Sequence, residues 1–395
     1  MRSIKQAITV TLVSLYTIPQ RLSSAGVAIV GIMGVVVVFV AVLSIGEGFK
    51  KAMTNAGKTD RAIVMRSGAD SEMSSGLSGD NVDVIKSMPG VKHDGVVPVG
   101  SGEMFVVLDI NRRATGTPSN VPLRGVDATA LAVRYDAKIA QGRMFTYGTN
   151  EVVVGRAANG QFEGINVGDT LKTGAYEWKV VGMFDTGGTV AETEMWCDVR
   201  VLQGVYQRGN SYQSVLVRLE SPSAFDTFKD KLISDPRVDV QIKRESDYYA
   251  EQSTGLTNLI EGVGYAIAAL MGIGAVFGAW LTMYSAVVAR TREIATLRAL
   301  GFGSGPVLIS VMGESVFLAL VGGAIGATLA YIGFNGYQAS TMNWQTFSQV
   351  AFGFAVTPRL LATGLFYALL MGLVGGIIPA IRAARLPISK ALREL

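Results

Sequence analysis

"AGVAIVGIMGVVVVFVAVLSI" (Ala25–Ile45) carries no charged residue and exceeds the roughly 18 apolar residues that mark a membrane-spanning helix. Three more stretches of that kind follow at 256–289, 306–334 and 360–381. Inside them stand only two acids, Glu261 near one end of the second stretch and Glu314 in the third. The second stretch is longer than a hydrocarbon core of about 30 Å requires at about 1.5 Å per residue, so it is expected to tilt or to protrude as a stalk. A cleaved signal peptide is the other reading of the first stretch. Its leader of about 25 residues and an apolar core beyond the usual range of about 7–15 favour a retained helix instead.

The whole chain agrees with a membrane protein that also has a polar part. Of its 395 residues 17% are charged, against about 25% in soluble chains, and the mean hydropathy is +0.35. A net charge of +4 is too small to argue for nucleic acid as a partner. One cysteine, Cys197, excludes an intramolecular disulfide.

Lys and Arg in the short flanking segments set the expected orientation. Arg2, Lys5 and Arg21 precede the first span, Arg290, Arg292 and Arg298 lie between the second and third, and Arg382, Arg385, Lys390 and Arg393 follow the fourth. The segment between the third and fourth spans has no charge before Arg359. Both termini are therefore expected in the cytoplasm, with the large domain outside. The expected organisation is an amphipathic N-terminal helix on the inner membrane surface (1–24), a first span (25–46) and an extracytoplasmic α+β domain with a β-rich lobe (47–255). A second span and stalk (256–289), a cytoplasmic helix (290–304), a third span (305–334), a short outer loop (335–359), a fourth span (360–381) and a cytoplasmic tail (382–395) complete it. In the N-terminal helix Ile4, Ile8, Leu12 and Leu15 share one face, and Pro19 ends or kinks it.

In the outer segment "DNVDVIKSMPGVK" (80–92) and "SAFDTFKDKLISDPRV" (223–238) read as helices. "EMFVVLDI" (103–110), "EVVVG" (151–155), "EWKVVGMF" (177–184), "YQSVLVRLE" (212–220) and "VDVQIK" (238–243) read as strands. No residue set there points to catalysis or a metal. His93 is the only histidine, no Gly-x-Ser-x-Gly occurs, and Cys197 reads as a small buried apolar residue. "NAGKT" (55–59) resembles the end of a phosphate loop, but Ala52 stands where that motif needs glycine.

Within the spans Gly274 and Gly278, Gly322 and Gly326, and Gly372 and Gly376 form three small-xxx-small pairs, expected to pack a tight bundle or a dimer. Glu314 is the intramembrane acid. We expect a buried structural carboxylate held by Ser or Arg rather than a proton relay.

"RTREIATLRALGFG" (290–303), followed by "SVMGESVFLALVGGAIGATLA" (310–330), resembles the signature of the FtsX-like permeases of ATP-binding-cassette systems, as do "IPAIRAARLPISKALREL" (378–395) and "LSIGEGF" (43–49). "VPLRGVDATAL" (121–131), "GRMF" (142–145) and "EVVVGRAANGQFEGINVGDTLK" (151–172) look like the periplasmic core domain of the macrolide-exporter (MacB-type) subgroup. That exporter fuses its ATPase to the permease N-terminus, whereas this chain begins almost at its first span, so the resemblance implies a separate ATPase subunit that holds ATP and Mg. No cofactor is then expected on this chain. It implies a coupling helix docking into that ATPase, with Ile294, Leu297 and Leu300 as an apolar ridge, Arg292, Glu293 and Arg298 as rim contacts, and Gly301 and Gly303 ending the helix. Leu297→Asp is expected to abolish association. It also implies a second permease chain, identical or a paralogue, and a periplasmic adaptor with an outer-membrane channel, for export of a drug, peptide or other amphiphile. Control of a cell-wall hydrolase and lipoprotein extraction are the other functions open to such a permease.

Overall fold

The computed structural model describes residues 2–174 and 176–386, so Lys390, Arg393 and the second half of the closing motif lie outside the described residues. In chain order the helices are α1 (Arg2–Tyr16), α2 (Leu22–Ala56), α3 (Gly79–Lys86), α4 (Ala130–Val133), α5 (Arg156–Gln161), α6 (Val199–Val205), α7 (Ala224–Ile233), α8 (Glu245–Ala289), α9 (Thr291–Ala299), α10 (Ser304–Phe334) and α11 (Pro358–Ala384). α2, α8, α10 and α11 are long and apolar enough to cross a membrane. The chain forms two compact units, one from Met1–Glu47, Asn258–Tyr337 and Phe354–Leu395, the other from Gly48–Thr257 and Gln338–Gly353.

The first unit is helical and packs through small residues. A Cβ on Gly322 or Gly326 of α10 would come within 2.7 Å of the carbonyl of Ile29 or Met33 on α2. A Cβ on Gly372 or Gly376 of α11 would meet the Cβ of Ala319 or Ser315 on α10 at 2.6 and 2.7 Å. Backbones approach this closely because lipid offers no hydrophobic gain for larger side chains between helices. Gly274 and Gly278 differ from the other pairs, since a Cβ on either meets nothing within 4 Å. α1 packs on α10 through Thr11 against Gly313 and through Ser14 Oγ, 3.0 Å from Ser310 Oγ. Its stripe residues Ile8 and Leu12 stay about half exposed. The chain leaves α1 at Tyr16 and turns through a 3-10 helix, Ile18–Arg21, which contains Pro19.

The second unit is built on a mixed ten-stranded sheet. Its order is Val240–Arg244, Arg61–Arg66, Ser214–Arg218, Gly100–Asn111, Pro118–Val126, Met195–Asp198, Glu151–Gly155, Tyr176–Asp185 and Lys138–Gly142, with Thr170–Thr173 on Tyr176–Asp185. Two contacts are parallel, Met195–Asp198 on Pro118–Val126 and Tyr176–Asp185 on Glu151–Gly155. α3, α6 and α7 contribute Ile85, Leu202, Phe228 and Leu232 to a core with Val152, Val154, Phe162 and Trp178.

Several boundaries differ from those expected. α2 continues to Ala56 because Phe49, Ala52, Met53 and Ala56 recur at helical spacing and are buried. α8 begins at Glu245, not 256, as a helix with Glu245 and Asp247 in its first turn. The expected outer loop 335–359 is ordered as an antiparallel hairpin, Gln338–Asn343 with Ser348–Gly353, and belongs to the second unit.

Candidate functional site

α9 is held at both ends. Arg290, its N-cap, donates from Nη1 to Glu314 Oε2 (3.1 Å) on α10 and to Ser14 Oγ (2.9 Å) on α1, and from Nε to Glu293 Oε2 (3.0 Å). Arg298 Nη1 donates to the carbonyl of Leu386 beyond α11 (2.6 Å). Between these anchors Ile294 and Ala295 are buried, Ile294 among Met283, Val287, Val307 and Ala383. Gly301 takes φ +93°, with its N–H donating to Arg298 O (3.1 Å) and that of Phe302 to Leu297 O (3.1 Å). This pattern closes the helix and satisfies its last carbonyls. Gly303 is the N-cap of α10.

The geometry corrects the expected ridge. Ile294 is 6% exposed and belongs to the bundle core, so it offers nothing to a partner. Leu300 is 73% exposed, Leu297 half-buried, and Arg292 and Glu293 exposed. Three-residue spacing advances about 300° around a helix, so over seven positions the ridge turns from the buried side to the open one. Arg298 is half-buried and faces the chain's own Leu386. Glu314 is 4% exposed and accepts from Arg290.

At its far end α8 starts in a charged joint within the second unit. Arg61, 2% exposed, donates from Nε to Glu245 Oε2 (2.5 Å), from Nη2 to the carbonyl of Ala56 at the end of α2 (2.7 Å), and from Nη1 to Asp136 Oδ1 (2.9 Å). One guanidinium thus fixes the end of α2 to the beginning of α8. The adjoining "NAGKT" is part of the joint: the Lys58 N–H donates to Glu245 Oε2 (2.9 Å), and a Cβ at Gly57 would strike the backbone of Ser246. Glycine is there because two distant segments of the chain approach closely. Burial pushes the Glu245 carboxyl above its usual range in spite of Arg61.

A second buried cluster lies in the same unit. Arg124 donates to Glu194 (Nε–Oε2 and Nη2–Oε1, both 2.8 Å), to Glu72 (Nη1–Oε1, 2.7 Å) and to Glu103 (Nη1–Oε2, 3.0 Å). Arg134 forks onto Glu103, Ser214 Oγ donates to Glu72 (2.6 Å) and Trp196 Nε1 to Glu194 (2.9 Å). Burial alone would raise the Glu103 carboxyl, but Arg134 and Arg124 outweigh it and hold it below the usual range. The hairpin is stitched beside this cluster. Arg112 donates to Gln349 (2.6 Å), Asn120 to the carbonyl of Phe347 (2.7 Å), Asn343 to Gln252 (3.0 Å), and the Ala351 N–H to Thr193 Oγ1 (3.0 Å). A cavity of 20 Å³ between them has room for about one water and is lined by Glu72, Arg124, Glu194, Asn343 and Gln349.

Sequence reasoning did not find Arg61, Arg124 or their carboxylates. The available signal was a charge inside a strand-like run, as in "RAIVMR" (61–66) and "VPLRGV" (121–126). Cys197 is fully buried, and burial pushes its thiol up. His93 is exposed, its Nδ1 2.9 Å from the carbonyl of Val91.

Comparison with known proteins joins these features. The family model of the MacB-like periplasmic core domain matches residues 25–234, just over half of the chain, and that of the FtsX-like permease C-terminal region matches 265–388. A macrolide export ATP-binding/permease protein MacB of Bdellovibrio bacteriovorus is 24% identical over 93% of this chain and 59% of its own length. The pyoverdine export ATP-binding/permease protein PvdT of Pseudomonas entomophila is 26% identical over 92% and 56%. The chain thus spans less than three fifths of the length of these curated relatives. The crystal structure of the periplasmic region of MacB from Actinobacillus actinomycetemcomitans matches 49% of this chain and 92% of its own, with 14% identity and a TM-score of 0.38. Four candidate spans among the described residues and the two matched regions make this a multi-pass membrane protein with an extracellular domain, and the chain belongs to the family of FtsX-like ABC transporter permeases with a MacB-like periplasmic core domain.

Proposed function

We propose that the chain is the permease subunit of an ABC-type export system, driven by a separate cytoplasmic ATPase subunit that holds ATP and Mg. α9 is the coupling helix. The observation that carries this reading is its construction: Arg290 and Arg298 fix it to the bundle at both ends, while Arg292, Glu293 and Leu300 stay outward. A helix pinned in this way passes a push at its outer face to the elements it is tied to instead of yielding locally. α8 then carries the displacement from Ala289 to Glu245, where the Arg61 joint receives it. Work is done in the extracellular domain, and substrate does not pass through the bundle. Two permease chains pair over two ATPase chains, with both termini cytoplasmic. An adaptor and an outer-membrane channel complete the path for a drug, peptide or other amphiphile, in keeping with the export named for the macrolide and pyoverdine relatives.

Leu300→Asp tests the docking. The substitution is expected to abolish co-purification with the ATPase and stimulation of ATP hydrolysis while the chain still inserts. Unchanged association overturns the assignment of α9. A tag at the exposed Gly160 of α5 is expected to be labelled only from outside the cell, and labelling from the cytoplasm reverses the topology.

A further inference from the structure

The break between α8 and α9 has no local cause in the sequence. Sharp breaks in helices are almost always traceable to Pro, to Gly or Ser pairs, to a bulge, or to an inserted side chain. From Val287 to Leu300 the chain reads "VVARTREIATLRAL", without Pro or Gly. Arg is among the better helix formers. Even so, Arg290 adopts φ −104°, ψ +13°, far from the helical values near −63° and −42°. Its N–H still donates to Ala286 O (3.3 Å) and Val287 O (3.2 Å), and Ile294 N–H donates to Arg290 O (3.0 Å), so the deviating residue itself stays bonded to the helix on either side. The Thr291 hydroxyl takes up the carbonyl of Val288 (2.8 Å).

What distinguishes Arg290 is its side chain. Its guanidinium reaches Glu314 on α10, Ser14 on α1 and Glu293 on α9, and Ser14 is bonded in turn to Ser310 on α10. Glu314 and Ser14 are buried, at 4% and 2% exposure. Releasing Arg290 would leave a buried carboxylate without that partner, which is costly in a water-poor setting.

We infer that Arg290 is a latch: its ion pair with Glu314, supported by Ser14, holds the chain broken between α8 and α9 and so sets the direction of α9. Without the pair, α8 and α9 run on as one helix. In function this makes Arg290 the positioning residue for the coupling helix. That consequence rests on the docking reading; the latch itself does not.

The test is a distance in the full chain, reconstituted in lipid nanodiscs without ATPase. Spin labels on cysteines at Leu281 and Ala299, both exposed, report on the break, and the buried Cys197 stays unlabelled. A continuous helix separates these positions by about 27 Å at about 1.5 Å per residue. The native chain is expected to give a shorter distance, Arg290→Gln and Glu314→Gln to shift it towards about 27 Å, and Arg290→Glu combined with Glu314→Arg to restore it. An unchanged distance in the single variants overturns the latch. If they do not accumulate, the exchange decides: recovery of the native distance supports the latch and failure to recover it overturns it. Because ATPase is absent, this outcome is separable from that of Leu300→Asp. A native distance in these variants with docking intact refutes only the latch, and lost docking in Leu300→Asp with a native distance refutes neither.

Discussion

The two units of the chain solve the packing problem with opposite materials. The helical unit brings backbones together at Gly322, Gly326, Gly372 and Gly376 and places the Arg290–Glu314 ion pair between its elements. The sheet unit fills its interior with Trp178, Phe162, Phe228 and aliphatic strands, and also buries three carboxylates on two guanidiniums. The difference follows from the solvent. Water drives large apolar side chains inward and so supports a thick core. Lipid gives no such drive, leaving van der Waals contact between close backbones and a few polar links as glue. Substitutions that exchange the two materials should therefore fail in opposite ways.

The largest effect is expected in the sheet unit. Arg124→Met leaves Glu72, Glu103 and Glu194 without their shared guanidinium, and breaking a buried pair from one side costs about 3–5 kcal/mol. Hydrogen exchange should report it as lost protection in Met195–Asp198, the strand that follows Glu194. The same variant sharpens the acid response. Glu103 is held below the ordinary carboxylate range, so its contribution is complete above an unfolded pKa of about 4.3 and is lost as pH falls through the lower folded value. Removing Arg124 narrows that gap, and the acid-unfolding midpoint should rise.

A smaller effect is expected in the helical unit, and it depends on which glycine is replaced. Gly322→Leu forces a side chain against the carbonyl of Ile29, and overpacking of this kind costs about 1–3 kcal/mol. A Cβ at Gly274 meets nothing within 4 Å, so Gly274→Ala should leave the thermal midpoint of the chain in detergent unchanged. A loss at Gly274 that appears only in the assembled complex would place a second permease chain on that face of α8.

The contrast also explains what could be read from sequence. Spans announce themselves because lipid demands an unbroken apolar run, so α2, α8, α10 and α11 stand out from composition alone. "EVVVG" coincides with the strand Glu151–Gly155, and both amphipathic helices of the outer segment were visible in their periodicity. What was hidden depends on partners distant in sequence. Arg61 meets Glu245 across 184 positions, and Arg290 meets Ser14 across 276, with no local pattern to announce either. Ile294 was misplaced for the same reason, since spacing names a face without saying what covers it.

The hairpin is the sharpest case, because it joins the two regimes in the chain while carrying no charge. Its backbone alone pairs Gln338–Asn343 with Ser348–Gly353, and two-stranded hairpins are marginal in water. Its order comes from the rest of the second unit, through the buried Val350, Ala351 and Phe352 and through the polar stitches. Gln349→Ala removes the acceptor of Arg112 Nη2, yet Arg112 keeps Ser119 Oγ through Nε (2.8 Å), so the expected cost is only about 1 kcal/mol. It should appear as faster hydrogen exchange confined to Ser348–Gly353, with the strand Pro118–Val126 unchanged. Exchange that rises throughout the sheet unit instead would mean that the hairpin is part of that core and not a strap laid on it.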